Sequence, residues 1–393
     1  MQGTGWRFGA RVAALMAGLA LLGGCANAPP WQGSNGLLHD ELFAPPAQPV
    51  VASEALAISP AMRRYLVEKI AIRANSDDRR KALIEALYRA GALKLDYDAS
   101  ATRSAAQAFE SRSGNCLSLV MMTGAFAKAL GLEVRYQQVR TDDVWDRAGD
   151  LVFAVGHINL SLAEPTRSRA PTRESQNELV VDFQPPSGLE RMNYRIVDEA
   201  TVTAMYLNNR AAEALAEGRL DDAYAWARES VQVATHYLPA YNTLGVVYRQ
   251  RGRPEFAEAV FTRLLAQQPD DPRVLSNLVV ALRDLGRGAD ADRIAQRLAR
   301  IEPDPPYALF RRAMTALDAG DLPAARELLA KEVARAPYQH EFQFWLGVVQ
   351  ARLGDAKGAA EHFKVAIETS PTRGTRELYS AKLARLRAGT ATH

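Results

Sequence analysis

Apolar residues recur at helical spacing early in the chain, switch to alternation near its middle, and then return to a long helical pattern that repeats. Met62, Tyr65, Leu66 and Ile70 share one face and predict a helix, with Pro60 in its first turn. A second helix is expected over 77–89 and a short one over 104–110, with Asp96-Tyr97-Asp98 as a turn between them. Residues 116–130 form an almost unbroken apolar run with Ser118, Thr123 and Lys128 as its polar interruptions, so this helix is expected to be central and buried. The period then becomes two. Residues 133–139, 151–162 and 178–183 read as strands, the first two joined by the mostly polar loop RTDDVWDRAGD. Helices followed by a small antiparallel sheet predict an α+β domain over residues 55–200.

From about residue 204 three residue types hold one period. Gly218, Gly252, Gly286, Gly320 and Gly354 lie 34 residues apart, as do Ala223, Ala257, Ala291, Ala325 and Ala359, and Pro269, Pro303, Pro337 and Pro371. Glycine ends the first helix of each hairpin, alanine lets two helices approach closely, and proline breaks the chain before the next unit. Leu244-Gly245, Tyr248, Ala257, Phe261 and Pro269, and again Leu346-Gly347, Ala359, Phe363 and Pro371, resemble the tetratricopeptide pattern. The resemblance implies an all-α solenoid of five repeats over 204–373, followed by a capping helix and tail over 374–393. It also implies a groove for a protein or peptide partner, lined by Asn208, Asn242, Val246, Arg249, Ser276, Val280 and Arg283.

The amino-terminal text is of a different kind. Residues 1–24 carry Arg7 and Arg11, no acid, and an apolar run from Val12 to Leu22, which reads as an export leader and is too short to span a membrane. Leu22-Gly23-Gly24-Cys25 resembles the bacterial lipobox, which implies lipidation of Cys25, a membrane partner through that lipid and, with Ala26 following, the outer membrane facing the periplasm. Residues 25–54, rich in proline and small polar residues, are expected to be a flexible tether.

At 393 residues, 48% hydrophobic and 24% charged, the chain has material for real cores. Removing Arg7 and Arg11 takes the 48 basic residues to 46 against 45 acidic ones, so no field exists to gather nucleic acid. With two cysteines and six scattered histidines, no spacing suggests a metal site, and no cofactor is expected. If Cys25 is lipidated, Cys116 has no disulfide partner in an oxidising compartment, which raises the odds of a chemical role.

Cys116 opens the buried helix, with Asn115 placed to cap it, where free N–H groups and the helix dipole stabilise a thiolate. Between residues 40 and 235 His157 is the one histidine, mid-strand, with Phe153, Val155, His157 and Asn159 alternating onto one face. Asp182 lies in the next strand, where an acid among apolar residues needs a partner. These features resemble the transglutaminase-like superfamily, a papain-related fold: Gly114-Asn115-Cys116 opening a helix, Ala129 to Arg135 closing it into a strand, then His157 and Val181-Asp182-Phe183. Many members carry Trp close behind the histidine, where this chain has Ile158-Asn159. The resemblance implies a Cys116–His157–Asp182 triad, acting as a thiol hydrolase or acyltransferase on an amide or peptide. The alternative from another class is a catalytically silent domain in a repeat-based binding scaffold.

Overall fold

The computed structural model describes residue 31 and residues 33–72, 78–89, 93, 95–98, 101–148, 151–165, 178–183, 194–370 and 372–390. The leader and Cys25 lie outside the described residues.

Helix α1 spans Pro60–Tyr65, capped by the Ser59 hydroxyl accepting from Met62 N, and continues as one π-helical stretch over Leu66–Ala71. Helix α2 spans Arg79–Tyr88. The expected turn at 96–98 is instead a two-residue strand, β1 (Asp96–Tyr97), parallel to β2 (Ser113–Gly114). Between them α3 (Ala105–Ser111) starts in a capping box in which Ser104 and Gln107 satisfy each other's backbone N–H groups. Helix α4 then runs Cys116–Ala129.

Strands β3 (Glu133–Ala148), β4 (Leu151–Ala163), β5 (Leu179–Val181) and β6 (Tyr194–Val197) form one antiparallel sheet in the order β5-β4-β3-β6. Two differences from the sequence reading stand out. The loop expected over 140–150 is mostly strand, because the β3–β4 ladder resumes after an irregularity between Val139 and Val144 and runs to Ala148 opposite Leu151. Backbone pairing is indifferent to side-chain polarity, so a polar ribbon can extend a hairpin beyond its core. Residues 194–197, for which no strand was expected, supply the fourth strand. Val181, Leu160, Tyr136 and Val197 align in register across the four strands, and all are buried in the core that includes α4. Helix α4 seats closely there, since a Cβ on Gly124 would lie 2.4 Å from Tyr136 Oη.

The rest of the chain is helical. Helices α5 (Glu199–Ala216) and α6 (Leu220–Val233), α7 (Leu238–Gln250) and α8 (Pro254–Gln267), α9 (Pro272–Asp284) and α10 (Gly288–Ile301), α11 (Ala308–Asp318) and α12 (Leu322–Arg335), and α13 (His340–Arg352) and α14 (Ala356–Glu368) make five hairpins, followed by α15 (Arg373–Thr390). The five periodic glycines sit at the hairpin turns with φ from 73° to 86°, the left-handed region in which a side chain is strained. No described helix is long and apolar enough to cross a membrane.

Helix α5 serves two cores. Its Val202, Met205, Tyr206 and Leu207 join the core of the sheet and α4, whereas Ala211, Ala214 and Leu215 join that of the first repeats. The expected division near 200–204 therefore falls inside one helix.

The expected tether is also not free. Residue 31 and residues 33–47 lie against α6, α7 and α8: Leu37 is buried, Trp31 packs edge-on to Tyr241, and Phe43 stacks on Tyr224 with ring centroids 3.9 Å apart. His39 N donates to the hydroxyls of both Tyr224 and Tyr248, Tyr248 Oη donates to Leu37 O at 2.7 Å, and Asp40 pairs with Arg228 at 2.8 Å. Composition alone suggested a tether, but five spaced apolar anchors (Trp31, Leu37, Leu38, Leu42 and Phe43) bury enough surface to offset the ordering cost.

Candidate functional site

The start of α4 is built by the residues around Cys116. Asn115 Oδ1 accepts from Ser118 N at 3.0 Å and from Ser118 Oγ at 2.9 Å, closing the first turn. Gly114 makes room for it, since a Cβ there would fall 2.6 Å from Ser118 Cβ. The cap is itself held: Asn115 Nδ2 donates to Thr102 Oγ1 at 2.8 Å, and Arg103 N donates to Ser118 Oγ at 2.8 Å. Cys116 follows at the first helical position, 5% exposed, where its own N–H has no intrahelical acceptor.

His157 comes from β4, one strand in from the edge. Ile158, Leu160 and Leu162 turn into the core with α4, and His157, Asn159 and Ser161 alternate away from them, all three buried. Asp182 directly follows β5, whose Val181 pairs with Leu160. That register brings its carboxylate to the histidine: Asp182 Oδ2 lies 2.8 Å from His157 Nε2 and accepts from Asn159 Nδ2 at 2.9 Å. With 2% and 9% of the two side chains exposed, water screens this pair little.

The electrostatics link all three residues. Burial pushes the His157 imidazole down, but the Asp182 carboxylate and the neighbouring Cys116 outweigh it and leave it raised to about 9. Among the described residues no hydrogen bond of ordinary geometry reaches His157 Nδ1. Cys116 thus acts on the imidazole without being aligned to it, a looseness common before substrate is bound. Asn159 was readable on the histidine's face of the strand, but its part in fixing Asp182 depends on register between strands. Among the described residues no group of three or more His, Cys, Asp or Glu could hold a metal ion.

The seven expected groove positions fall on the first helices of three consecutive repeats: Asn208 on α5; Asn242, Val246 and Arg249 on α7; Ser276, Val280 and Arg283 on α9. They are not equally available. Asn242 Oδ1 accepts from Asn277 Nδ2 at 3.0 Å, Arg249 faces Asp284 at 3.6 Å and Arg283 faces Asp292 at 3.8 Å. Ser276 and Val280 are exposed, and Asn208 Oδ1 is buried without a partner among the described residues. The amino-terminal segment is held by other residues of α6, α7 and α8, among them Asp221, Asp222, Tyr224, Arg228, Tyr248 and Arg263.

Two tetratricopeptide-repeat family models match the helical region, one at residues 214–276 and 248–314 and the other at residues 310–373. The carboxy-terminal part of the chain is a tetratricopeptide-repeat solenoid. Among solved structures the chain is similar to YrrB, described as a tetratricopeptide-repeat protein with an unusual peptide-binding site, at 21% identity over 46% of this chain and 92% of that one, TM-score 0.25. It is also similar to TTC0263, a thermophilic tetratricopeptide-repeat protein of Thermus thermophilus, at 18% identity over 46% and 99%, TM-score 0.28. For pilF of Pseudomonas aeruginosa the identity is 17% over 50% and 87%, TM-score 0.28. No curated protein matches the chain. Tetratricopeptide repeats are protein-binding scaffolds, and the part of the chain before residue 199 supplies a mixed helix-and-strand domain joined to the first of them.

Proposed function

We propose that this chain is an envelope lipoprotein whose transglutaminase-like domain uses Cys116, His157 and Asp182 to cleave or transfer an amide acyl group, while the repeats recruit the protein that carries it. The observation that supports this best is the His157 Nε2–Asp182 Oδ2 contact of 2.8 Å beside Cys116 at a helix start. In the reaction, Cys116 Sγ attacks the amide carbonyl, and the Cys116 N–H helps hold the oxyanion. The C–N bond breaks as His157 gives its proton to the leaving amine, with Asp182 orienting the ring, and a thioester remains on Cys116. Water, activated by His157, then releases a carboxylic acid and the thiol; an amine in its place gives a new amide. Water is the more abundant acceptor in an aqueous envelope, which favours hydrolysis.

A thiol-directed electrophile at pH 7 tests this. Cys116 is expected to be modified in the native full chain, and His157→Ala to lose most of that reactivity. Modification only after denaturation would make Cys116 a wall residue. The burial of Cys116 and His157 favours the second reading, a silent domain in a binding scaffold. Under it, Cys116→Ser has no phenotype, while changes at Arg249 and Arg283 do. The lipid belongs to this proposal as well: Cys25→Ala should release the protein from membranes, and unchanged retention would remove the anchor.

A further inference from the structure

We infer that Glu213, on the first repeat helix, is a positioning residue for Cys116, so that the repeat array forms part of the thiol site; the inference rests on the triad reading above. Thr102 joins the two parts of the chain. It is 1% exposed, and α5 engages its backbone on both sides: Thr102 N donates to Glu213 Oε1 at 2.7 Å, and Arg210 Nη1 donates to Thr102 O at 3.2 Å. Arg210 and Glu213 are themselves an ion pair at 3.1 Å, and the Arg210 guanidinium lies over the Trp226 ring of α6, 5.4 Å from its centroid. Burial raises the Glu213 pKa, and the bond from Thr102 opposes that rise.

The hydroxyl of the same threonine accepts from Asn115 Nδ2, and Asn115 is the cap from which α4 departs. Four consecutive hydrogen-bonded groups therefore run from the first repeat to the nucleophile: Glu213, Thr102, Asn115 and the first turn of α4. If Thr102 shifts, the Asn115 amide loses one end of its support and its Oδ1 loses its aim at Ser118. Cys116 lies between cap and Ser118, so its Sγ moves against an imidazole fixed on a different element. Reactivity of this kind is sensitive to displacements of about 1 Å. A fold that needed Glu213 for packing alone would have no reason to place its carboxylate on a backbone N–H that leads to the cap.

The test uses the full chain and iodoacetamide, with Cys116 modification followed by peptide mass spectrometry from pH 6 to 9, well below the unfolding midpoint of each variant. Glu213→Ala is expected to slow alkylation at pH 7 about tenfold, equivalent to about 1.4 kcal/mol, and to move the pH–rate profile toward that of His157→Ala. Glu213→Gln keeps an acceptor for Thr102 N and should restore most of the rate. Thr102→Val, which removes only the hydroxyl link, should behave like Glu213→Ala and serves if the alanine variant does not fold. Wild-type rates and profiles in Glu213→Ala and Thr102→Val, with His157→Ala slow, would overturn the inference and leave the triad. A wild-type rate in His157→Ala would remove the triad itself, and the positioning role with it.

Discussion

Asp182 Oδ2 accepts from two donors at once, His157 Nε2 at 2.8 Å and Asn159 Nδ2 at 2.9 Å, and one oxygen thereby sets both the position and the proton affinity of the imidazole. The folded His157 value of about 9 lies above the unfolded value of about 6.5. The stability this contributes is therefore fully present below pH 6.5 and is lost as pH rises through 9. Asp182→Asn removes the carboxylate charge from the imidazolium, so its unfolding free energy should fall less than the wild type's between pH 6.5 and 9. Urea titrations at the two ends of that window measure the difference; equal slopes would mean that Asp182 does not hold the proton. The cysteine, the histidine and the acid were each legible as single residues, because rarity, helix position and strand alternation are local properties. The roles of Asn159, Thr102 and Glu213 were not, because they arise from strand register and from a contact between residues 102 and 213 that no periodicity encodes.

At the scale of elements, the central feature is how the amino-terminal segment and α5 tie the sheet domain to the repeats. The amides of His39, Ala44 and Ala47 donate to Tyr224 and Tyr248, Asp221 and Asp222, respectively. Hydrogen exchange at these amides should be slowed at least about a hundredfold relative to an unstructured peptide. Phe43→Ala, which removes the stack on Tyr224, should recover much of the free-peptide rate. Exchange at that rate in the wild type would mean that the segment is a tether after all. Proline and small polar residues dominate this stretch, so its composition pointed to a tether; its anchors are few and their partners lie about two hundred residues away in sequence. The β3–β4 ribbon was missed for a related reason, since its ladder continues where alternation stops.

For the whole molecule, the 34-residue period made the solenoid readable almost residue by residue, since each repeat packs on its neighbours and carries its own signature. The junction was not readable, because one helix satisfies two cores. A fragment beginning at residue 204 leaves Met205, Tyr206 and Leu207 without the sheet domain, and it should bind a hydrophobic dye and show less helix than its repeats account for. Full helicity and cooperative unfolding of the 204–393 fragment would show that α5 does not need the sheet domain. If Cys25 carries a lipid, only residues 26–30 separate it from docked Trp31, which keeps the Trp31 contact with Thr235 and Tyr241 within about 20 Å of the lipidated residue.

The measurement that bears most directly on a Cys116–His157–Asp182 nucleophile is the titration of the His157 ring by NMR. In the wild type it should titrate near 9 and shift lower in both Cys116→Ala and Asp182→Asn, because thiol and carboxylate each stabilise the imidazolium. A midpoint near the ordinary histidine value of about 6.5, unmoved by removing Cys116, would contradict the thiolate–imidazolium pair.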